Sequence, residues 1–192
     1  MTHVISIKDQ FFVYHLTSVE NLDSIFKDGL KPRASLTDFT DVADEEILSK
    51  RKALELDAYV PFHWFAGNPF DGRVQRDRPK SKFVQITVYR SFAKSKGWKI
   101  IPHHPLADEK IELLSYDAGF DAINWDLMDA RDYHNARSKR VCMAECLSPG
   151  VVHPRDFSRI YVPNNEVKQL CEAKLKNANL TTAITVSPGM FL

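Results

Sequence analysis

The stretch FFVYHLTSVENLDSIFKDGL, residues 11–30, decides the reading of the chain, because it sets a strand, a helix and a stop signal in immediate succession. FFVYHLT, residues 11–17, is aromatic and β-branched and predicts a strand. Thr17 followed by Glu20 has the spacing of a capping box, in which a hydroxyl and a carboxylate each satisfy a free end amide. Val19, Leu22, Ile25 and Phe26 then fall on one helical face. Gly29 supplies a left-handed stop and Pro32 prevents the helix from resuming.

Outward from this unit, residues 42–56 read as helical, and Pro61 inside 59–65 predicts an edge or irregular strand. KFVQITVYR (82–90) reads as a strand, 107–116 and 121–133 as helices, and RVCMAECLS (140–148) as a short apolar strand broken by Glu145. FSRIYVP (157–163) predicts a strand, NEVKQLCEAKLKNA (165–178) an amphipathic helix, and TAITVSP (182–188) a final strand. Strands and helices do not alternate strictly enough for a doubly wound sheet, so the class is strand-rich α+β. With 192 residues, 44% hydrophobic and 27% charged, the chain reads as one globular domain spanning 1–192. No run of 18 apolar residues predicts a membrane span, no leader pattern opens the chain, and three cysteines without a CxxC pair suit a reducing cytoplasm.

The formal charge of +1 argues against a wholly basic surface, yet charge is unevenly spread. Residues 37–46 (TDFTDVADEE) are acidic throughout, whereas 72–82 (GRVQRDRPKSK) and 131–140 (RDYHNARSKR) are basic and lack apolar periodicity, which predicts solvated loops. Glu145 is the most informative single residue. In a strand it shares a face with Val141, Met143 and Leu147, where a carboxylate is costly unless it reaches solvent, pairs with an arginine, or serves a cleft. His15 closes the first strand before a helix start, as a half-buried histidine or as a donor to a ligand hydroxyl. His103 and His104 lie between two prolines, which predicts a rigid turn. No HExxH, GxGxxG, phosphate-binding loop or GxSxG is present, so no metal is expected, and Cys142 and Cys146 read as core thiols.

Taken in order, YHLTSVENLDSIFKDGL (14–30), ILSKRK (47–52), YVPF (59–62), HH (103–104), MAECL (143–147) and the ITVSPGMFL tail resemble the DarT family of DNA ADP-ribosyltransferase toxins over nearly the whole chain. The resemblance implies the ADP-ribosyltransferase fold, a split mixed β-sandwich with flanking helices and NAD+ in its cleft. It implies Glu145 and Arg51 as catalytic residues, with His15, Thr17, Asn21, Arg51, Tyr59 and Phe62 about the NAD+. Either His103 or His104 takes the place of a family histidine. In that setting the basic stretches acquire a joint meaning, a path for one DNA strand along Arg73, Arg76, Arg78, His103, His104, Arg137 and Arg140. Aromatic residues of 62–70 would stack its bases. The implied reaction moves ADP-ribose from NAD+ to a base of single-stranded DNA and releases nicotinamide, in a bacterial toxin–antitoxin system of phage defence. The implied partner is a macrodomain antitoxin. Asn68, Pro69 and Phe70 stand where thymine-modifying members carry Arg-Ser-Pro-Met, which leans toward the guanine-modifying branch. The alternatives are the same transfer to RNA or protein, or an inactive nucleic-acid-binding module of this fold.

Overall fold

The β-branched and aromatic run at the start of the chain forms β1 (Phe12–Ser18), whose alternate residues feed two different cores. The computed structural model describes residues 5–36, 55–104 and 112–192. After β1 come α1 (Leu22–Asp28), β2 (Val60–His63), α2 (Pro69–Asp77), β3 (Phe83–Tyr89), α3 (Arg90–Ser95) and β4 (Lys99–Ile101). The second half contains α4 (Tyr116–Ala122), α5 (Trp125–Ala130), α6 (Ala136–Val141), β5 (Glu145–Ser148), β6 (Arg159–Val162), α7 (Asn165–Asn177) and β7 (Ala183–Val186). The strands form one mixed sheet in the order β4-β5-β2-β1-β3-β6-β7, antiparallel except for β6 against β7.

The sheet has a seam. β1 runs in full register with β3, and β2 with β5, but β1 meets β2 only at Tyr14 opposite His63. A three-stranded part (β4-β5-β2) and a four-stranded part (β1-β3-β6-β7) therefore join at one pair and part beyond it. Pro61 lies at this parting and not at an outer edge, which corrects the expectation of an edge strand. A residue in an antiparallel strand points its N–H and C=O the same way. The Pro61 carbonyl accepts from His15 Nδ1 across the seam at 2.8 Å, so the missing N–H faces the parted side and costs the β5 ladder nothing.

The main core lies on one face, where Val13, Ile86, Val88 and Ile160 meet the apolar stripes of α1 (Leu22, Ile25, Phe26) and α7 (Val167, Cys171, Leu175). A fully buried leucine such as Leu22 stabilises the fold by roughly 1.5–3 kcal/mol. Gly29 ends α1 at φ +87°, where an added Cβ would also run into Val151 and the Val152 carbonyl at 2.6 and 2.8 Å. The cap at the other end belongs to Ser18 and not Thr17: Ser18 accepts from the Glu20 N–H at the head of a 3-10 turn, while Thr17 accepts from the Asn21 amide. The extra 3-10 turn shifts the helix start by several residues.

Five further expectations give way, four of them to local capping. The basic stretch 72–82 begins inside α2, because Asn68 accepts from the Asp71 N–H and Pro69 pre-sets the first turn. The stretch 131–140 ends in α6, capped by Asn135 through the Arg137 and Ser138 N–H groups. That helix takes residues to 141, so only Glu145–Ser148 of 140–148 is strand. The helix read at 121–133 is interrupted at Ile123–Asn124, where Asn124 caps α5; of the stretch 107–116, 107–111 lie outside the described residues and Leu114 forms a bridge with Ile100 instead of a helical turn. Of the 42–56 segment, 42–54 lie outside the described residues.

α2 covers the opposite sheet face, packing Val74 on Leu16 and Phe83. It also buries Asp71, whose Oδ2 accepts from the Gly67 N–H (3.0 Å) and Gln85 Nε2 (2.7 Å). Among the described residues, Asp71 Oδ1 and Gln85 Oε1 have no hydrogen-bond partner. Burial outweighs the hydrogen bonds and pushes the carboxyl up from its ordinary 3.8 to about 7. A raised acid favours folding while it stays protonated, and that contribution is lost as pH rises from about 4 through about 7. Asp71→Asn removes the ionisation. Its stability relative to the parent should grow by on the order of 2–3 kcal/mol between pH 5 and pH 8. Denaturant melts at the two pH values check this; equal gains at both would refute it.

Candidate functional site

Side-chain alternation sorts the residues at the seam. Residues directly opposite one another share a face. Glu145 of β5 therefore stands in one row with His63 of β2 and Tyr14 of β1, and with Ile101 of β4 on its far side. His15 belongs to the other face, its ring 5.4 Å from Phe62. The two candidates thus lie on opposite faces of the sheet, on strands that flank β2.

Glu145 is 6% exposed and is the first residue of its strand. The expected apolar strand face around it is not formed, because Val141 closes α6 and Met143 lies in the connection; Leu147 alone shares the strand face. His15 is half-buried, and burial pushes its imidazole below the ordinary value, against the opposing effect of its bond to Pro61. A carbonyl only accepts, so Nδ1 carries the proton. The neutral ring then offers the Nε2 lone pair, which accepts from a hydroxyl where the sequence alone suggested a donor.

Thr17 and Asn21 are joined by an amide-to-hydroxyl bond of 3.2 Å just beyond His15. Tyr59 is half-buried and packs on Leu56, Ile101 and Leu147. Phe62 is wholly enclosed, between the rings of His15 and Trp98. It supports His15 and shapes the wall, and is sealed from stacking on any ligand. Arg51 lies outside the described residues, as does the acidic stretch 37–46.

The expectation that the aromatic residues of 62–70 stack bases narrows to Phe70. Trp64 and Phe65 are buried, Trp64 edge-on to Trp125 and Phe120, and Phe70 alone is partly accessible, its ring 5.4 Å from His63. Arg73 and Arg76 are exposed on α2, Arg73 beside Asp77 at 3.6 Å, and Arg78 is half-buried at its end. Arg137 and Arg140 are exposed on α6, which leads directly into β5. The half-buried His103 and His104 follow β4, and the His104 N–H donates to the Arg140 carbonyl at 2.9 Å. Arg131 lies over the Phe65 ring at 4.7 Å, so the second basic stretch abuts the loop that leads into α2. Both basic stretches therefore adjoin the end of the sheet that carries Glu145.

The place of His63 opposite Glu145 and the Asp71–Gln85 pair were not picked out from the sequence. Their signal is pairing register, which a single sequence does not display. Burial pushes the thiols of Cys142 and Cys171 up to about 11 and that of Cys146 higher still, in keeping with inert core cysteines. Among the described residues no group of three His, Cys, Asp or Glu could hold a metal ion, and no helix is long and apolar enough to cross a membrane.

Comparison with known proteins matches residues 14–192 to the family described as DarT, ssDNA thymidine ADP-ribosyltransferase. A curated relative, a DNA ADP-ribosyl transferase–DNA ADP-ribosyl glycohydrolase fusion protein of Thermosipho africanus (strain H17ap60334), is 24% identical over 180 residues. The match takes in 88% of this chain and 46% of the fusion, so the chain spans about half the length of that relative. Among solved structures, Thermus sp. 2.9 DarT in complex with ADP-ribosylated ssDNA superposes with a TM-score of 0.82 at 14% identity, covering 95% of this chain and 96% of that one. The same Thermus protein in complex with NAD+ gives 0.79 at 12% identity, covering 96% and 98%. The fold is that of these DarT structures.

Proposed function

The chain belongs to the DarT family of ssDNA ADP-ribosyltransferases, and we propose that residues 1–192 act as one domain moving ADP-ribose from NAD+ to a base of single-stranded DNA, with release of nicotinamide. The observation that carries this reading is a carboxylate, Glu145, nearly enclosed at the start of β5 and directly opposite His63 of β2, the strand whose Pro61 carbonyl holds His15. The donor set suits NAD+: an imidazole lone pair at His15 for a ribose hydroxyl, the Thr17–Asn21 pair beside it, and Arg51 for the pyrophosphate. NAD+ supplies a glycosidic bond whose cleavage develops positive charge on the ribose. Glu145 stabilises that charge and takes the proton from the attacking base nitrogen. Phe70 stacks the target base beside His63, and Arg73, Arg76, Arg78, Arg137 and Arg140, with His103 and His104, hold the strand's phosphates.

The base proposed is guanine, from the departure at 68–70, against the thymidine of the family's description. The fusion relative carries a glycohydrolase in the same chain, which supports a toxin whose product is reversed by a macrodomain partner in the same cytoplasm. The test is labelled NAD+ with four single-stranded oligonucleotides, each bearing one guanine, thymine, adenine or cytosine, read by mass spectrometry. Gain on guanine supports the reading, gain on thymine alone refutes the base, and gain only on RNA or protein refutes the substrate class.

Base pairing hides the candidate nitrogens, and flipping a base out costs a few kcal/mol. The single strand should therefore be modified roughly ten- to several-hundred-fold faster than its duplex. Rising salt should depress the rate as phosphate contacts are screened. Equal rates on strand and duplex would contradict the reading.

A further inference from the structure

Glu145 has a titratable neighbour in its own row. The register of β2 against β5 sets His63 directly opposite it, and the single β1–β2 pair sets His63 directly opposite Tyr14. Such residues carry Cβ atoms about 4.5–5.5 Å apart on the same face. The row therefore reads carboxylate, imidazole, phenol, closed by Ile101 beyond Glu145. His63 and Glu145 are each 6% exposed, and Phe70 lies 5.4 Å from the imidazole with 30° between the ring planes. On the far side Tyr14 is held protonated, pushed up to about 12 chiefly by burial, with Tyr161 raising it further and Arg90 opposing.

We infer that His63 is a positioning residue for Glu145, its imidazole N–H donating to the carboxylate and fixing the direction in which it meets the reacting ribose. The inference rests on the reading of Glu145 as the catalytic carboxylate. A glutamate at the first position of a strand has three side-chain torsions to fix, and catalysis needs its oxygens placed within about 0.5 Å. His63 is itself confined, between Tyr14 in the row and Phe70 against its ring. An imidazole N–H can orient a carboxylate through one hydrogen bond, leaving its oxygens to face the positive charge that develops as nicotinamide leaves.

Three variants test it, with kcat, the KM for NAD+ and the melting temperature measured on the full chain with a single-stranded oligonucleotide. His63→Phe keeps a ring against Phe70 and removes the N–H. His63→Asn and His63→Gln return an N–H near one or the other ring nitrogen. His63→Phe is expected to lower kcat by about 10- to 100-fold, with KM for NAD+ within about threefold and little change in melting temperature. One of the two amides should recover most of the loss. In a Glu145→Gln background, His63→Phe should cost nothing more, because the two residues act as one unit. A fully active His63→Phe, an equal loss in all three variants, or losses that multiply in the double mutant would each overturn the inference. An active Glu145→Gln would bring down the reading of Glu145 itself. An inactive Glu145→Gln beside an active His63→Phe would bring down the positioning role alone.

Discussion

Glu145→Gln should reduce transfer to single-stranded DNA by about a thousand-fold or more while the protein stays folded. Two duties are lost together. The carboxylate that offsets positive charge on the ribose typically contributes about 10²–10³ in rate, and the base that takes the nucleobase proton about 10²–10⁴. The two are not additive, since one group performs both. Glutamine matches glutamate in shape, and β5 pairs with β2 and β4 through its backbone, so the substitution leaves the sheet intact. Replacing a nearly enclosed charge with an amide costs little stability and can raise it. The decisive measurement is modified-oligonucleotide yield beside the melting temperature on one preparation. Activity within tenfold of the parent at an unchanged melting temperature would remove Glu145 from the reaction. A collapse of the melting temperature would mean that the side chain serves the fold instead.

Six of the seven strands among the described residues were read from the sequence, best where composition and alternation agree, and the three-residue β4 was not. FFVYHLT, KFVQITVYR and FSRIYVP lie within a residue or two of β1, β3 and β6, because their β-branched and aromatic residues serve buried sheet positions. The misreadings share one cause. Asn68, Asn124 and Asn135 each begin a helix by accepting a backbone N–H, and α2 and α6 grow through sequences with little apolar periodicity. Apolar periodicity reports apolar burial; α6 exposes most of its residues, and α2 buries polar ones, Asp71 and Gln75, beside Val74. At the site, Glu145 stood out in the sequence as a carboxylate in an apolar run and His15 as a histidine just before a helix start. Their partners did not, because pairing register joins positions dozens of residues apart. His63 stands opposite Glu145 and Pro61 opposite Leu147 through contacts that no local pattern encodes. Pro61 is the instructive case. Its lack of an N–H suggested an outer edge, and the fold satisfies the same constraint at an internal one, the parting of β1 from β2.

Arg90→Met should be the most destabilising conservative-volume change in the described core, at about 3–5 kcal/mol. The guanidinium is 7% exposed. Its Nε donates to the Phe12 carbonyl (3.0 Å), Nη1 to those of Ile7 and Lys8 (2.8 and 2.9 Å), and Nη2 to that of Trp64 (3.0 Å). It also lies 4.9 Å from the Trp64 ring and 5.8 Å from that of Trp125. One side chain thereby ties the N-terminal 3-10 turn to β1, and both to the segment leaving β2. It is a strut across the seam near the Tyr14–His63 pair that joins the two parts of the sheet. Burial lowers its pKa from 12.5 to about 10, which leaves it charged at neutral pH. Methionine fills much of the volume but orphans four carbonyls, each costing about 1–3 kcal/mol where water cannot reach. Partial hydration at the half-buried end keeps the total below the sum. A domain of this size loses about 2–4 °C of melting temperature per kcal/mol, so a fall of roughly 6–20 °C is expected. Arg90→Lys restores the charge but not the planar fork, and should recover only part of it. A melting temperature within about 2 °C of the parent for Arg90→Met would show that the four carbonyls find other donors. The seam would then be held by the strand pair at Tyr14 and His63, and by the rings around Trp64, without help from the arginine.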